Sequence, residues 1–179
     1  MRHLGWILAA LAFFVLACLV VAWPALRELR DHHPTRITQA ETPVGTLRGL
    51  RFQIEAARFT VLPQVPDRAV ALIRLHIEGE PKEMTQWLGC SVSITDDQGR
   101  RWLSLYNELG LEIARLLGDQ ARPGPNCRQL LASTGQGTAD ETFVLPVEAL
   151  DGLRLEIWDQ AGLPDALSLP LRPVMRPPP

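Results

Sequence analysis

Lysine is nearly absent from this sequence, which contains only Lys82 among 179 residues. The basic side of the charge balance is therefore carried by arginine, and the formal net charge is −2 with a pI near 6.1. Proteins that bind nucleic acid or anionic membrane surfaces through charge carry a clear excess of positive residues. The composition therefore gives no reason to expect a nucleic-acid partner.

Cysteine is also scarce, and no two cysteines have the close spacing of a CxxC motif. Cys90 and Cys127 are the only cysteines outside an apolar N-terminal segment that holds Cys18. An even pair in an exported domain is most simply a disulfide, so we predict a Cys90–Cys127 bridge. The alternative, a redox pair, needs an accessible thiol of low pKa, which CxxC spacing or a helix N-terminus usually provides.

Charge is missing altogether from the 23 residues between Leu4 and Leu26. A helix of that length spans about 34 Å, enough to cross the roughly 30 Å hydrocarbon core of a bilayer. Trp6 and Trp23 lie near its two ends, where aromatic rings favour the membrane interface. Residues 1–26 are thus predicted to form an N-terminal transmembrane signal-anchor.

Two other fates of this segment remain open. Val20-x-Ala22 is an acceptable site for signal-peptide cleavage after Ala22, although the apolar run exceeds the usual 7–15 residues. Val15-Leu16-Ala17-Cys18 resembles a lipobox with Cys18 as the lipid carrier, but cleavage there would leave an apolar octamer as the new N-terminus. All three alternatives predict a C-terminal domain outside the cytoplasm, and the anchor predicts a single-pass protein of the cell membrane.

The polar stretch at 27–46 contains Pro34 and Pro43 and lacks apolar periodicity, so it is predicted to be a juxtamembrane linker. Residues 173–179 are rich in proline and are predicted to form an extended tail. The remaining residues, 47–172, are numerous enough for one domain with a hydrophobic core.

Alternation of apolar and polar residues dominates this domain and predicts β-strands. The pattern is clearest where Ala71, Ile73, Leu75 and Ile77 share one face and His76 falls on the opposite, polar face. An earlier strand changes parity near Ala56-Ala57, which predicts a β-bulge. About seven such strands with turn signals between them predict an all-β fold, an antiparallel β-sandwich.

One segment, 107–117, has helical periodicity instead. Leu109, Ile113, Leu116 and Leu117 recur at helical spacing, with Asn107 as a plausible N-cap. We expect a short helical insertion that crosses between the two sheets.

No catalytic, cofactor-binding or metal-binding constellation emerges from the remaining polar residues. His32-His33 lacks a third ligand nearby, and Asp96-Asp97 before Gly99 is more typical of a turn than of a calcium loop. The chain is therefore not expected to be an enzyme or to need a cofactor. Asp119, Asp140 and Glu141 are interpreted as scattered loop acids without the spacing of metal ligands. The glycine-rich stretch Ser133–Thr138 lacks the lysine of a Walker loop and precedes a predicted strand.

The stretches "CSVSITDDQGRRW", "TGQGTADETFVLP" and "LRLEIWD…LSLPL" resemble the telokin-like, immunoglobulin-like extracytoplasmic domains of bacterial membrane-anchored proteins. The resemblance covers roughly residues 47–172 and rests on strands and turns. It implies an immunoglobulin-like sandwich outside the cytoplasm and brings no catalytic residues with it.

Two functions remain open at this stage. The first is a non-enzymatic binding or structural module at the cell envelope, with a protein partner whose identity the sequence does not give. The second is an accessory subunit that associates with a membrane complex through its transmembrane helix.

Overall fold

The computed structural model describes residues 6, 11–18, 20, 22, 34–105, 110–117, 124–133 and 136–176. The chain divides into two units at Pro34, and the second unit, Thr35–Pro179, contains all the strands described here. In the first unit, residues 6, 11–18, 20 and 22 are helical. No helix in the described residues combines the length and the apolar content needed to cross a membrane. Most of the predicted anchor, Trp23 included, lies outside the described residues.

Ten strands in the described part of the chain form two five-stranded groups. The strands are β1 Arg36–Gln39, β2 Val44–Leu47, β3 Leu50–Leu62, β4 Val65–Glu78, β5 Cys90–Thr95, β6 Arg101–Leu103, β7 Gly137–Pro146, β8 Arg154–Asp159, β9 Asp165–Pro170 and β10 Val174–Met175. The first sheet has the order β1-β9-β8-β5-β6, and the second has β10-β3-β4-β7 with β2 also paired to β3.

The inward faces of the two sheets pack into one hydrophobic core, which makes the fold a β-sandwich as predicted. Phe52, Phe59 and Phe143 from the second sheet and Leu155 and Ile157 from the first are fully buried in it. Most pairings are antiparallel. However, β1 pairs with β9 and β10 with β3 in parallel, so the prediction of a purely antiparallel fold is wrong at these two edges.

The long hairpin of β3 and β4 follows the predicted alternation closely. Ala71, Ile73, Leu75 and Ile77 are all fully buried on the inward face of β4. In β3 the pairing shifts between Ile54 and Ala56, which confirms the predicted bulge. The extra residue exchanges the parity of the strand, so that even-numbered residues face inward before it and odd-numbered ones after it.

The structured domain begins earlier and ends later than the sequence indicated. Strand β1 and the first three residues of β2 lie inside the range 27–46 that was predicted to be a linker, and β10 lies inside the tail 173–179. Both outer strands, β1 and β10, are short, exposed and attached at an edge. Because an edge strand needs few buried side chains, it leaves little apolar periodicity for sequence analysis to detect.

Among the described residues of the second unit, three short α-helices accompany the sheets: α1 Pro81–Met84, α2 Gly110–Leu116 and α3 Cys127–Ser133. The helix α2 lies within the predicted insertion and in the connection between β6 of one sheet and β7 of the other, as expected. Its Ile113, together with Leu117, packs on Val70 and Leu72, which lie on the outward face of β4. The predicted N-cap Asn107 lies outside the described residues.

The packing of α2 can be tested by replacing Ile113 with alanine. Ile113 is 4% exposed, so its truncation should lower the free energy of unfolding by about 3 kcal/mol through lost burial and a residual cavity. Glu112→Ala, at an exposed neighbouring position, is the matched control and should change stability by less than about 0.5 kcal/mol. Urea denaturation of both variants provides the measurement, and equal effects would contradict this packing.

Candidate functional site

The connection from Ser104 to Gln136 is here called the crossover connection, and two of its described residues contact the outer edge of β7. Leu105 donates its backbone N–H to the Thr142 carbonyl at 2.8 Å, and Asp140 donates its own to the Pro125 carbonyl at 2.9 Å. The start of the connection and the residue two positions before α3, Pro125, therefore both occupy the free edge of this strand. The part of the edge from Asp140 to Thr142 is not available for pairing with another chain.

The inward face of β7 carries a buried acid, Glu141. It alternates with Ala139 and Phe143, two residues of the core, and is 3% exposed. One carboxylate oxygen accepts a hydrogen bond from the hydroxyl of Ser104, and the other accepts one from the backbone N–H of Cys127 at 2.7 Å. One side chain thus contacts both the start of the crossover connection and the first residue of α3.

Burial raises the pKa of Glu141, because the charged form loses its hydration. The hydrogen bonds from Ser104 and Cys127 oppose this effect, while the nearby charge of Asp140 adds to it. Both oxygens already accept hydrogen bonds within the protein. This arrangement suits a structural link better than a general base.

Asp140 lies on the opposite, outward face of β7 and is also buried. Arg74 of β4 donates two hydrogen bonds to its carboxylate, at 2.8 and 2.9 Å, in a bidentate pair. The Gly124 N–H donates to the same carboxylate at 2.8 Å. The two acids, treated in the sequence analysis as loop residues, are strand residues that fasten the connection from both faces.

Cys90 and Cys127 form the predicted disulfide, with their Cα atoms 5.7 Å apart. Both residues are buried. The bridge joins the start of β5, in the first sheet, to the first residue of α3. Closing its loop, with a sequence separation of 37, corresponds to about 4 kcal/mol of stabilisation in the chain-entropy treatment.

The helix α3 was not predicted from the sequence. Asn126 accepts the Gln129 backbone N–H on its side-chain oxygen at 2.8 Å, and the Gln129 side chain accepts the Asn126 N–H at 3.3 Å. This reciprocal arrangement is a capping box. The spacing Asn126-x-x-Gln129 was thus the available signal, although the proline-rich approach to it suggested a loop.

A second feature lies at the end of the sandwich where β1 begins, here called the β1 end. Asp159 at the end of β8 is fully buried and accepts the backbone N–H groups of Leu88 and Gly89, each at 3.1 Å. Its carboxylate also pairs with Arg48. The buried acid therefore fixes the turn that presents Leu88, whose side chain is 77% exposed.

A cavity of about 300 Å³ lies between α1 and the C-terminal end of α3. Its mouth is open, and its lining is more apolar than polar. The lining residues are Pro81, Met84, Thr85, Leu131, Ala132, Ser133 and Gln136.

The other residues considered in the sequence analysis have ordinary roles where the structure describes them. Asp96 accepts backbone N–H groups from Gln98 and Arg100, which makes it the predicted turn residue. Burial alone would raise its pKa, but hydrogen bonds and charge from Arg100 lower it. His76 lies on the predicted polar face, 3.9 Å from Glu55 and 3.8 Å from Glu78.

The three tryptophans of the domain do not form an exposed contact surface. Trp87 and Trp158 are buried, and Trp102 is partly buried against the core. Trp6 is helical and exposed. Within the described residues, no group of three or more His, Cys, Asp or Glu side chains could hold a metal ion. Four other positions considered earlier, His32, His33, Asp119 and Thr134, lie outside the described residues.

Comparison with known proteins adds little to this picture. No protein-family model matches the chain, and no curated protein does. One solved structure, described as "a putative lipoprotein from Staphylococcus aureus subsp. aureus NCTC 8325", is similar over 75% of this chain and 94% of that one. The identity is 10% and the TM-score 0.37, and a likeness of this size carries no argument about fold or function.

The raised pKa of Glu141 predicts how stability depends on pH. The folded state holds this proton more tightly than the unfolded state, so the protonated acid stabilises the fold fully below its ordinary pKa of 4.5. That contribution is lost as the pH rises through the raised value. Glu141→Gln cannot titrate, so the wild type should lose stability relative to this variant as the pH rises from 4.5, by at most about 1.4 kcal/mol per pH unit.

Urea denaturation of both proteins across a pH series measures this difference. Glu148→Gln replaces an exposed glutamate and is the control, for which the difference from the wild type should stay smaller. A wild type that gains stability relative to Glu141→Gln with rising pH would contradict the assignment.

Proposed function

We propose that this chain is a membrane-anchored, extracytoplasmic protein whose sandwich is a non-enzymatic binding or structural module at the cell envelope. The observation that carries the proposal is the buried Cys90–Cys127 bridge, since structural disulfides persist in oxidising compartments and are rare in the cytosol. The uncharged run from Leu4 to Leu26 supports the anchor. The two-sheet architecture supports an immunoglobulin-like domain of the telokin-like kind.

The described N-terminal residues are compatible with burial in lipid. Within the helical stretch 11–18 the large apolar side chains are exposed, with Leu11 at 61% and Phe13 at 75%. Apolar side chains covering a helix in this way require a non-aqueous environment or a partner. In our proposal the lipid bilayer supplies that environment, because the helix is retained as an anchor and is not cleaved as a signal.

The location and the anchor can be tested together in intact bacterial cells. Thiol alkylation before and after reduction should find Cys90 and Cys127 unreactive until a reductant is added. The protein should stay in the membrane through alkaline carbonate extraction, with the intact mass of the full chain. Cys18→Ala, the matched control, should leave membrane retention unchanged.

Each alternative gives a different mass. Cleavage after Ala22 would yield a chain that begins at Trp23 and leaves the membrane, whereas lipidation would yield a chain that begins at a modified Cys18. A reduced pair in a protein recovered from the cytosolic fraction would contradict the whole proposal.

The second candidate, association through the transmembrane helix, is separable from the first. Replacing residues 4–26 with an unrelated anchor leaves the sandwich in place. Native-membrane crosslinking of the two forms should then give the same partner if the sandwich is the binding module. Loss of the partner on anchor exchange would favour the accessory subunit instead.

A further inference from the structure

The β1 end of the sandwich is the part held nearest to the bilayer if the proposed anchor is correct. Eight residues, 27–34, separate the uncharged run from the first residue of the sandwich, Thr35. Fully extended, they reach at most about 28 Å. The opposite end, at the β3–β4 turn, is farther away by the length of the 13-residue strand β3, about 40 Å.

Several elements place the Leu88 turn at this same end. Arg36 at the start of β1 pairs with Asp165 at the start of β9, which follows the Gln160–Gly162 turn. Gln160 of that turn donates its N–H to the Gly89 carbonyl. Leu88 therefore lies on the end of the sandwich that carries the chain's connection to the N-terminal run.

The exposure of Leu88 is built into the fold. Among the large apolar side chains described in 34–176, that of Leu88 is the most exposed, at 77%. The turn bearing it is fixed by two hydrogen bonds to a fully buried carboxylate, Asp159, whose charge is matched by Arg48. A loose loop can expose an apolar side chain by chance. Here, in contrast, a buried ion pair holds the turn in the conformation that exposes Leu88.

The charges at this end are balanced, which favours an apolar contact over an electrostatic one. Arg36 pairs with Asp165 at 3.3 Å, and Arg48 pairs with Asp159. The same end also exposes Pro81 and Ala132, on either side of the cavity between α1 and α3. These features fit the interfacial region of a lipid bilayer.

We propose that the β1 end rests on the bilayer that holds the anchor, with the Leu88 side chain inserted among the lipid headgroups and upper acyl chains. One leucine contributes little free energy by itself. Because the tether already keeps the domain at the membrane, the contact forms at a high effective concentration and need only orient the sandwich. This inference rests on the proposed anchor and adds an orientation to it.

The test is site-specific photo-crosslinking of the full-length protein in vesicles of phosphatidylethanolamine and phosphatidylglycerol. A benzophenone-bearing amino acid is placed singly at Leu88, at Val65 and at Leu11. Val65, 43% exposed at the β3–β4 turn, is the matched control at the far end of the sandwich. Intact mass reports both the lipid adduct and the state of the Cys90–Cys127 bridge, so that only folded, bridged protein is scored.

We expect a phospholipid adduct at positions 88 and 11 and none at position 65. A lipid adduct at position 11 without one at 88 would overturn the orientation while leaving the anchor intact. Equal adducts at 88 and 65 would overturn it as well. No adduct at position 11 would contradict the anchor itself, and with it this inference. In native membranes, a protein adduct at 88 in place of lipid would assign the surface to a protein partner and overturn the lipid contact.

Discussion

The arrangement of the crossover connection depends on the two hydrogen bonds that the carboxylate of Glu141 accepts. It accepts one hydrogen bond from Ser104, where the connection leaves the first sheet, and one from Cys127, where α3 begins. A carboxylate on the inward face of a strand is costly to bury. The hydrogen bonds from the two donors offset part of that cost, and the adjacent disulfide fixes the same segment covalently.

The rest of the domain is consistent with this constraint. The helix α2 contacts the sandwich through a small apolar cluster built on Val70, Leu72, Ile113 and Leu117, separate from the main core. The edge of β7 between Asp140 and Thr142 is covered because Leu105 and Pro125 form backbone hydrogen bonds there. Asp159 has the same role at the β1 end, where a buried carboxylate fixes a turn by accepting backbone N–H groups. In both places a buried acid organises irregular backbone that packing alone would leave loose.

Sequence patterns predicted the elements that depend on buried faces. The alternation in β4, the bulge in β3, the insertion containing α2 and the pairing of Cys90 with Cys127 all follow from periodicity or cysteine count, and all are present. Strands β1 and β10 could not be predicted in this way, because edge strands of two to four exposed residues carry no apolar pattern. Their parallel pairing depends on tertiary placement of the chain ends.

The candidate site was less predictable for a different reason. The inward register of Glu141 could have been read by extending the alternation of Phe143 and Leu145 back to Ala139, and α3 from its capping box. What makes Glu141 and Asp159 important, however, is their partners 14 to 111 residues away, which no local pattern specifies. The exposure of Leu88 depends likewise on Asp159, a residue 71 positions later.

Amide hydrogen exchange of the full-length protein, with the Cys90–Cys127 bridge intact and after reduction, tests the central claim most directly. If the disulfide and Glu141 together hold the crossover connection, reduction should lower protection in α3 and α2 and leave the β3–β4 hairpin protected. The amide of Cys127 should be protected in the bridged protein. Unchanged protection of α3 after reduction, or equal loss throughout both sheets, would contradict the account.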